Sequence, residues 1–338
     1  MSLSKDLLNW YDANRRELPW RGTRDPYRIW LSEIMLQQTQ AETVKGYYAR
    51  FLQRFPTVEA LAAAPEEAVL KLWEGLGYYS RAHNLHAASR IVSSELDGRF
   101  PQNASALRRL PGIGPYAANA IASIAYDEPV PALDGNQARV LSRILAWDDA
   151  IRSPFDLLAP ALTLVAHDRP GDYNQALMDL GAMICTPNQP KCECCPIAGH
   201  CRALQEDDVL SFPRKRPPTA KKTQDWTILL MYANERLLVH KRPKGLLGGL
   251  YEFVSVQGHP GPDILVPTLE AQGFSGICEL ERLPDARHMF THLVWRMQGW
   301  RARCDGFPDS YTAIDPGTLS SLAFPSALRV YRSAAASS

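Results

Sequence analysis

The chain contains 338 residues, 46% of them hydrophobic, and has a formal net charge of +1 at pH 7. This length predicts about two domains, each large enough to bury a core. The near-zero charge excludes a uniformly basic nucleic-acid binder, so any surface for nucleic acid must be local. No apolar run is long enough to span a bilayer, and residues 1–11 lack a signal-peptide core. We therefore expect a cytoplasmic protein without a membrane partner.

Residues 1–205 are predicted to be helical, because apolar residues recur there at helical spacing and strand patterns are absent. The predicted helices are Leu7–Asn14, Pro26–Gln38, Glu42–Phe55, Pro65–Leu72, Arg81–Leu96, Ala104–Arg109, Pro115–Ala125 and Gln137–Ala146. Residues 206–225 are polar and basic and contain several prolines, which predicts a linker.

From Trp226 the pattern changes to that of strands, which predicts a second, α/β domain over residues 226–332. The predicted strands are Thr227–Ala233, Arg236–Lys241, Tyr251–Val256 and, in a hairpin, Leu293–Arg301. Residues 333–338 contain only alanine and serine and are expected to form a disordered tail. The predicted fold class is thus α + α/β, with a helical domain followed by an α/β domain.

A short turn between two predicted helices, Leu110 to Gly114, has the sequence Leu-Pro-Gly-Ile-Gly. Pro111 and Gly112 end the first helix, and Gly114 frees the backbone before Pro115, which predicts a helix-hairpin-helix. Backbone N–H groups at such a helix N-terminus can approach a phosphate, and the helix dipole favours the anion. The alternative is a plain connection between packed helices, and only neighbouring motifs favour phosphate binding.

Five of the seven cysteines lie within residues 185–201, which indicates a metal site. An odd count without an export signal disfavours disulfides. Cys185, Cys192, Cys195 and Cys201 follow the spacing C-x6-C-x2-C-x5-C, with one close pair where structural zinc sites usually have two. Four thiolates in one loop favour an iron-sulfur cluster, although the spacing is not that of the common ferredoxins and zinc stays open. Cys194 is either a spare thiol or, by a small register shift, a ligand.

Two carboxylates have surroundings that suit acid and base chemistry. Glu33 lies on a predicted helix where three of its four neighbours at three and four positions are hydrophobic, which should raise its pKa. The alternative is an ordinary glutamate on a helix surface. Asp134 precedes a predicted helix, where it is expected to cap the N-terminus and stay ionised. One protonated carboxyl and one anionic carboxylate suit the cleavage of a glycosidic bond through a cation-like transition state.

Several long motifs, spread over nearly the whole chain, resemble those of the MutY family of adenine DNA glycosylases. They are Leu18–Arg21, Trp30–Gln40, Gly75–Arg81, Leu110–Asn119, Leu133–Asn136, the four cysteines and Phe290–His292. The resemblance implies a helical DNA-glycosylase domain with a helix-hairpin-helix and a 4Fe-4S loop, followed by a MutT-like (Nudix-like) domain. It also implies a monofunctional, monomeric enzyme that removes adenine opposite 8-oxoguanine or guanine in duplex DNA, at the bacterial nucleoid, and so begins base excision repair.

The resemblance implies a role for each matching residue. Glu33 would protonate adenine N7 and Asp134 would stabilise the oxocarbenium ion or its covalent adduct, while Tyr116 and Asn136 orient the carboxylates and the water. The residues expected to contact DNA are Trp20, Arg21, Gln38, Thr39, Leu76, Tyr78, Gly112 and Gly114. Four of them are expected to form a wedge that enters the base stack, namely Gln38, Thr39, Leu76 and Tyr78. Lesion recognition would fall to Phe290, Thr291 and His292, and cluster binding to Cys185, Cys192, Cys195 and Cys201.

The same positions argue against related functions. Endonuclease III-like glycosylase/AP lyases have a Schiff-base lysine at the position of Tyr116 and lack an acid at that of Glu33. A DNA-binding module without catalysis is disfavoured by the intact Glu33 and Asp134. Phosphohydrolase activity is not expected, because a Glu-rich metal-binding helix is missing between Tyr251 and Phe274. Thr291 stands where the family usually has serine, which keeps the hydroxyl but stiffens the side chain.

Overall fold

The computed structural model describes residues 2–214, 221–243, 245, 247–290 and 293–336. The chain divides into two compact units, one formed by residues 1–63 and 84–217, the other by residues 64–83 and 218–338. Residues 64–83 are helical in sequence pattern but belong to the C-terminal unit. A single boundary near residue 205 therefore does not describe how the chain packs.

The described residues up to 214 form helices and no strand. The helices are α1 (Leu3–Asn14), α2 (Pro26–Leu36), α3 (Ala41–Arg54), α4 (Val58–Ala62), α5 (Glu66–Trp73), α6 (Ser80–Glu95), α7 (Ala104–Leu107), α8 (Pro115–Tyr126), α9 (Gly135–Leu145), α10 (Leu158–Leu164), α11 (Pro170–Met183) and α12 (Arg202–Gln205). The long helix α11 was not among the predicted ones. It is buried on almost every side, so its sequence has no polar stripe that would reveal the helical period.

The predicted helix-hairpin-helix is formed by α7, the turn at residues 108–114 and α8. Gly112 has a φ of +74°, and a Cβ added there would lie 2.5 Å from the Cβ of Asn84. Both the backbone conformation and the close packing thus require glycine. Gly114 precedes α8 in an extended conformation, with open space where a side chain would stand. That space leaves the N-terminus of α8 accessible.

The C-terminal unit contains a mixed sheet built around one central strand. Its strands are β1 (Lys222–Ala233), β2 (Arg236–Lys241), β3 (Tyr251–Glu252), β4 (Val254–Gln257), β5 (Cys278–Met289), β6 (Leu293–Arg303) and β7 (Thr312–Ile314). Strand β1 pairs in parallel with β6 and antiparallel with β2 and β4. Strand β5 pairs with β6, and β2 also pairs with β3 and β7.

Alternate residues of β1 face two cores on opposite sides of the sheet. Ile228 and Leu230 pack with residues of helix α14 (Arg329–Ala336), whereas Leu229 and Met231 pack with helix α13 (Pro262–Ala271). This two-sided burial follows from the period of two in a strand.

Two expectations for the ends of the C-terminal domain are corrected. Strand β1 begins at Lys222, inside the predicted linker, because backbone pairing with β6 extends the strand through polar residues. Residues 333–336 continue helix α14 and are not a disordered tail, since Ala335 is buried beside Tyr331 one turn away. None of the helices in the described ranges is both long and apolar enough to cross a membrane.

Candidate active site

A cavity of about 970 Å³ in the first unit is lined by residues from several elements. It brings together all four predicted catalytic residues, Glu33, Tyr116, Asp134 and Asn136, which are far apart in sequence. Five residues predicted to contact DNA also line it, namely Trp20, Arg21, Gln38, Thr39 and Gly114. The cavity is therefore the candidate active site.

Glu33 is a buried carboxyl on a helix that is itself almost wholly buried. It is 4% exposed, which excludes the helix-surface alternative. Because α2 packs against α8, the Tyr116 hydroxyl reaches Glu33 and donates a hydrogen bond to its Oε2 at 2.5 Å. Burial raises the pKa of Glu33, against the opposing effects of the Tyr116 hydrogen bond and the Arg21 charge. The raised pKa favours the protonated acid that a proton donor requires.

Asp134 caps helix α9, as the sequence predicted. Its Oδ1 accepts a hydrogen bond from the Gln137 backbone N–H at 2.6 Å, and its Oδ2 lies 3.4 Å from Asn136 Nδ2. Burial nevertheless raises the pKa of Asp134, against these hydrogen bonds and the charge of Arg139. The shift is opposite to the one expected of a helix N-terminus, because the loss of solvation outweighs the backbone hydrogen bonds.

The side chains of Trp20 and Arg21 have partners within the protein. Arg21 donates to the Tyr11 hydroxyl at 2.8 Å and to Asp179 Oδ1 at 3.0 Å. Trp20 is buried, and its ring packs edge-on against that of Tyr48, with the ring centroids 5.5 Å apart. The fully buried Asp179 was missed from the sequence, because it lies on α11, whose helical period was hidden.

The four predicted wedge residues are divided between the two units. In the first unit, Gln38 is exposed and has a left-handed backbone, with a φ of 58°, and Thr39 is partly buried. In the second unit, the Leu76 side chain is buried, whereas Tyr78 is 42% exposed and has a φ of 48°. Of the latter pair, Tyr78 is the one available to a ligand.

The predicted cluster cysteines form a partly buried set. Cys185, Cys192, Cys195 and Cys201 are all partly buried, and burial raises the pKa of the Cys195 thiol to about 12. Burial also raises the pKa of the Cys201 thiol, which donates to the Arg143 carbonyl at 3.4 Å. Cys194 differs from these four in being exposed, and its thiol donates to the Lys191 carbonyl at 3.4 Å.

A mononuclear metal site is not evident in the parts of the chain that the structure describes. No three or more His, Cys, Asp and Glu side chains there are arranged to hold a metal ion. Four cysteine thiols in one loop are the kind of ligand set that a 4Fe-4S cluster requires.

Two arginines of α9 contact the cysteine loop, and one of them also contacts Asn136 at the N-terminal end of that helix. Arg139 donates to Asn136 Oδ1 at 3.0 Å and to the Cys185 carbonyl at 2.9 Å. Arg143 is buried and donates to Cys185 Sγ at 3.3 Å. Sequence reasoning missed both residues, because an arginine on an amphipathic helix usually faces solvent.

Phe290 lies at the end of β5, in the predicted hairpin. Its N–H donates to the Leu293 carbonyl at 2.8 Å, and its ring packs against Trp295 and His288 with centroids 5.0 and 4.6 Å apart. The other two predicted lesion-recognition residues, Thr291 and His292, lie outside the described residues. Helix α13 contains one glutamate, Glu270.

Comparison with known proteins relates both parts of the chain to described families. Residues 31–155 match the HhH-GPD superfamily base excision DNA repair proteins, and residues 226–334 match the NUDIX domain. An adenine DNA glycosylase of Rattus norvegicus is 37% identical, over 93% of this chain and 72% of the relative. The Homo sapiens protein of that name is 36% identical, over 92% of this chain and 68% of the relative.

A bacterial relative and two solved structures extend the comparison. Adenine DNA glycosylase of Buchnera aphidicola subsp. Schizaphis graminum is 35% identical, over 79% of this chain and 77% of the relative. A thermostable thymine-DNA glycosylase is 32% identical with a TM-score of 0.56, over 60% of this chain and 95% of that one. An endonuclease III–DNA complex shares the fold at 21% identity and a TM-score of 0.52, over 60% of this chain and 94% of that one. The predicted helical glycosylase domain followed by a Nudix-like domain is confirmed.

Proposed function

The chain belongs to the adenine DNA glycosylase family and is a DNA N-glycosylase, and we propose that it removes adenine opposite 8-oxoguanine or guanine in duplex DNA. The family and the enzyme class predicted from the motifs are confirmed, as is DNA as the substrate. The endonuclease III-like alternative is not supported, since the relatives that match most of the chain are adenine glycosylases.

The observation that carries the proposal is that Glu33 and Asp134 line one cavity. Adenine is a poor leaving group unless it is protonated, and the buried Glu33 holds a proton more firmly than an exposed glutamate does. In the proposed mechanism, Glu33 donates this proton to adenine N7, and the electrons of the glycosidic bond move to the base. The Tyr116 hydroxyl stays on Glu33 and fixes the carboxyl in place.

The sugar that remains carries a positive charge, which Asp134 would stabilise as a carboxylate. A developing cation in the cavity favours the ionised form of Asp134 and so offsets the effect of burial on its pKa. Asn136, near the Asp134 carboxylate, would help to orient the water that attacks the sugar. Tyr116 occupies the position of the lyase lysine, so the product is an intact abasic strand.

The remaining predicted residues would bind the cofactor, the DNA backbone and the bases. Cys185, Cys192, Cys195 and Cys201 would bind a 4Fe-4S cluster that stabilises the loop. The backbone at Gly112 and Gly114 would bind a DNA phosphate. Tyr78 would enter the base stack with Leu76, Gln38 and Thr39, while Trp20 and Arg21 support the cavity. Phe290, Thr291 and His292 would contact the base opposite the adenine.

The test is single-turnover base release from three duplexes, with adenine opposite 8-oxoguanine, guanine or thymine. We expect release from the first two and little from the third. The variant Glu33→Gln should bind the same duplexes and lose release by about 100-fold to 10,000-fold, the usual contribution of a general acid. Glu17→Gln, at an exposed glutamate of the same unit, is the control. A Glu33→Gln rate within a few-fold of wild type would exclude Glu33 as the acid.

A further inference from the structure

Three side chains near the Gly75–Tyr79 loop hold one backbone segment of the C-terminal unit, Leu322–Phe324. Lys71 Nζ donates to the Leu322 carbonyl at 3.1 Å, and Glu74 Oε1 accepts from the Phe324 N–H at 3.1 Å. The Tyr79 hydroxyl donates to the Phe324 carbonyl at 3.4 Å. Both ends of the Leu322–Phe324 segment are therefore bonded to residues that flank or belong to the loop.

The same segment is also joined to the sheet. The Ala323 carbonyl accepts a hydrogen bond from the Tyr251 N–H at 2.9 Å, and Tyr251 begins β3. The Phe324 ring is buried and stacks on Phe253, with centroids 4.9 Å apart. Because the segment is fixed on the sheet, it gives the Gly75–Tyr79 loop a rigid support.

Glu74 makes more of these contacts than its neighbours. Besides the Phe324 N–H, its carboxylate accepts from Arg332 Nη1 and, at 2.7 Å, from Lys71 Nζ. Arg332 lies over the Phe324 ring and donates to the Leu319 carbonyl at 3.0 Å. The side chains of Glu74 and Arg332 are only 21% and 24% exposed, so water weakens their attraction less than it does for a surface pair.

The backbone of the Gly75–Tyr79 loop has an unusual conformation. Gly75, Gly77 and Tyr78 have φ values of 98°, 72° and 48°, all in the left-handed region. Arg81 supports the loop from within, because its guanidinium donates to the Gly77 carbonyl at 3.2 Å and lies over the Tyr78 ring at 5.4 Å. Glu74 joins the start of the loop to the Leu322–Phe324 segment of the same unit.

We propose that Glu74 is a positioning residue, which bonds the Gly75–Tyr79 loop to the Leu322–Phe324 segment of the same unit so that Tyr78 is preorganised to enter the base stack. This inference rests on the proposed function, in which adenine must leave the stack before it is cleaved. Glu74 would not touch the DNA. The C-terminal unit would thus promote extrusion of adenine through the Leu322–Phe324 segment, in addition to any contact with the opposite base.

The test compares two duplexes in the full-length protein, one with adenine opposite 8-oxoguanine and one with adenine opposite an abasic analogue. Adenine without a pairing partner leaves the stack at lower cost, so its release depends less on the loop. Glu74→Ala should slow single-turnover release from the paired duplex about tenfold and from the other duplex by about twofold or less. Glu74→Gln should fall between Glu74→Ala and wild type, because its amide oxygen can still accept from the Phe324 N–H.

The control is Glu281→Gln, which removes an exposed ion pair with Arg301 in the same unit and should change neither rate. If Glu74→Ala folds poorly, Arg332→Met removes the same ion pair and should slow release from the paired duplex only. Equal losses on both duplexes would indicate general destabilisation and overturn the proposal, as would no loss on either. Failure of the proposed function would differ from both, since wild type would then release adenine from neither duplex.

Discussion

Glu33 shows how burial gives an ordinary residue an unusual chemical property. A glutamate on a helix surface has a pKa near 4.3, and is ionised at neutral pH. Glu33 is enclosed because nearly every face of α2 is covered, and its carboxyl accepts a hydrogen bond from the Tyr116 hydroxyl. Burial thus favours the protonated form of Glu33 and costs some stability at neutral pH.

The first prediction concerns this cost. Since the folded-state pKa of Glu33 is raised, the folded protein binds this proton more tightly than the unfolded chain, and stability falls as pH rises above about 4. Glu33→Gln cannot ionise, so it should be more stable than wild type by a margin that grows with pH. Each unit of raised pKa corresponds to about 1.4 kcal/mol. Urea unfolding of both proteins at acidic and neutral pH measures the margin, and a margin independent of pH would contradict the prediction.

At the scale of elements, two of the proposed catalytic residues lie where helices begin. Asp134 caps α9, and Tyr116 is the second residue of α8. A helix start has free N–H groups that bind a carboxylate or a phosphate, so structural and chemical roles coincide there. Helix α2 contributes Glu33 from its interior instead, where burial is greater.

The second prediction separates these two roles at Asp134. Asparagine caps a helix about as well as aspartate and cannot ionise in this buried place, so Asp134→Asn should be at least as stable as wild type at neutral pH and lose most base release. Asp134→Ala removes the hydrogen bond to the Gln137 N–H as well and should also cost about 1 kcal/mol of unfolding free energy. Thermal unfolding and single-turnover rates of both variants provide the comparison. Substantial base release by Asp134→Asn would mean that the carboxylate is not needed.

The third prediction concerns the cysteine loop. A 4Fe-4S cluster should give the purified protein a brown colour and iron in excess of zinc. Cys194→Ser should keep the iron content, because the Cys194 thiol is exposed and directed towards Lys191. Cys192→Ser should lower it. Metal analysis of the two variants is the measurement, and the opposite pattern would place Cys194 among the ligands.

At the scale of the whole molecule, the two compact units do not follow the order of the chain. Residues 64–83 pack with the C-terminal residues, so deletion of residues 226–338 would also remove the support of α5 and of the Gly75–Tyr79 loop. A change in activity after such a truncation could come from the loss of lesion recognition or from displacement of the Gly75–Tyr79 loop, and the experiment would not separate the two. Point substitutions in the full chain avoid this problem.

The fourth prediction uses such a substitution. Phe290→Ala should lower the preference for adenine opposite 8-oxoguanine over adenine opposite guanine while base release itself persists. An aromatic ring stacked on one base contributes roughly 1 to 3 kcal/mol, so the preference should fall by about fivefold to 100-fold. Met289→Ala, at an exposed neighbour, is the control. An unchanged preference would place recognition of the lesion elsewhere, with Tyr78 as the next residue to substitute.

Much of the fold and of the candidate site could be predicted from the sequence, because their signals are local. Amphipathic periods predicted most helices, alternating patterns predicted the main strands, and the Leu-Pro-Gly-Ile-Gly turn predicted the hairpin. The motifs around Glu33, Asp134 and Tyr116 predicted residues that one cavity brings together. These features depend on a few neighbouring residues, so a single sequence contains them.

Other features were decided only by the tertiary structure. Helix α11 has no polar stripe, so its Asp179 was not found, and the direction of the Asp134 pKa shift depended on burial by distant residues. The contacts of Arg139 with Cys185 and of Glu74 with Phe324 join residues far apart in the chain. Local sequence patterns do not predict such contacts, because burial and long-range hydrogen bonds form only when the chain has packed.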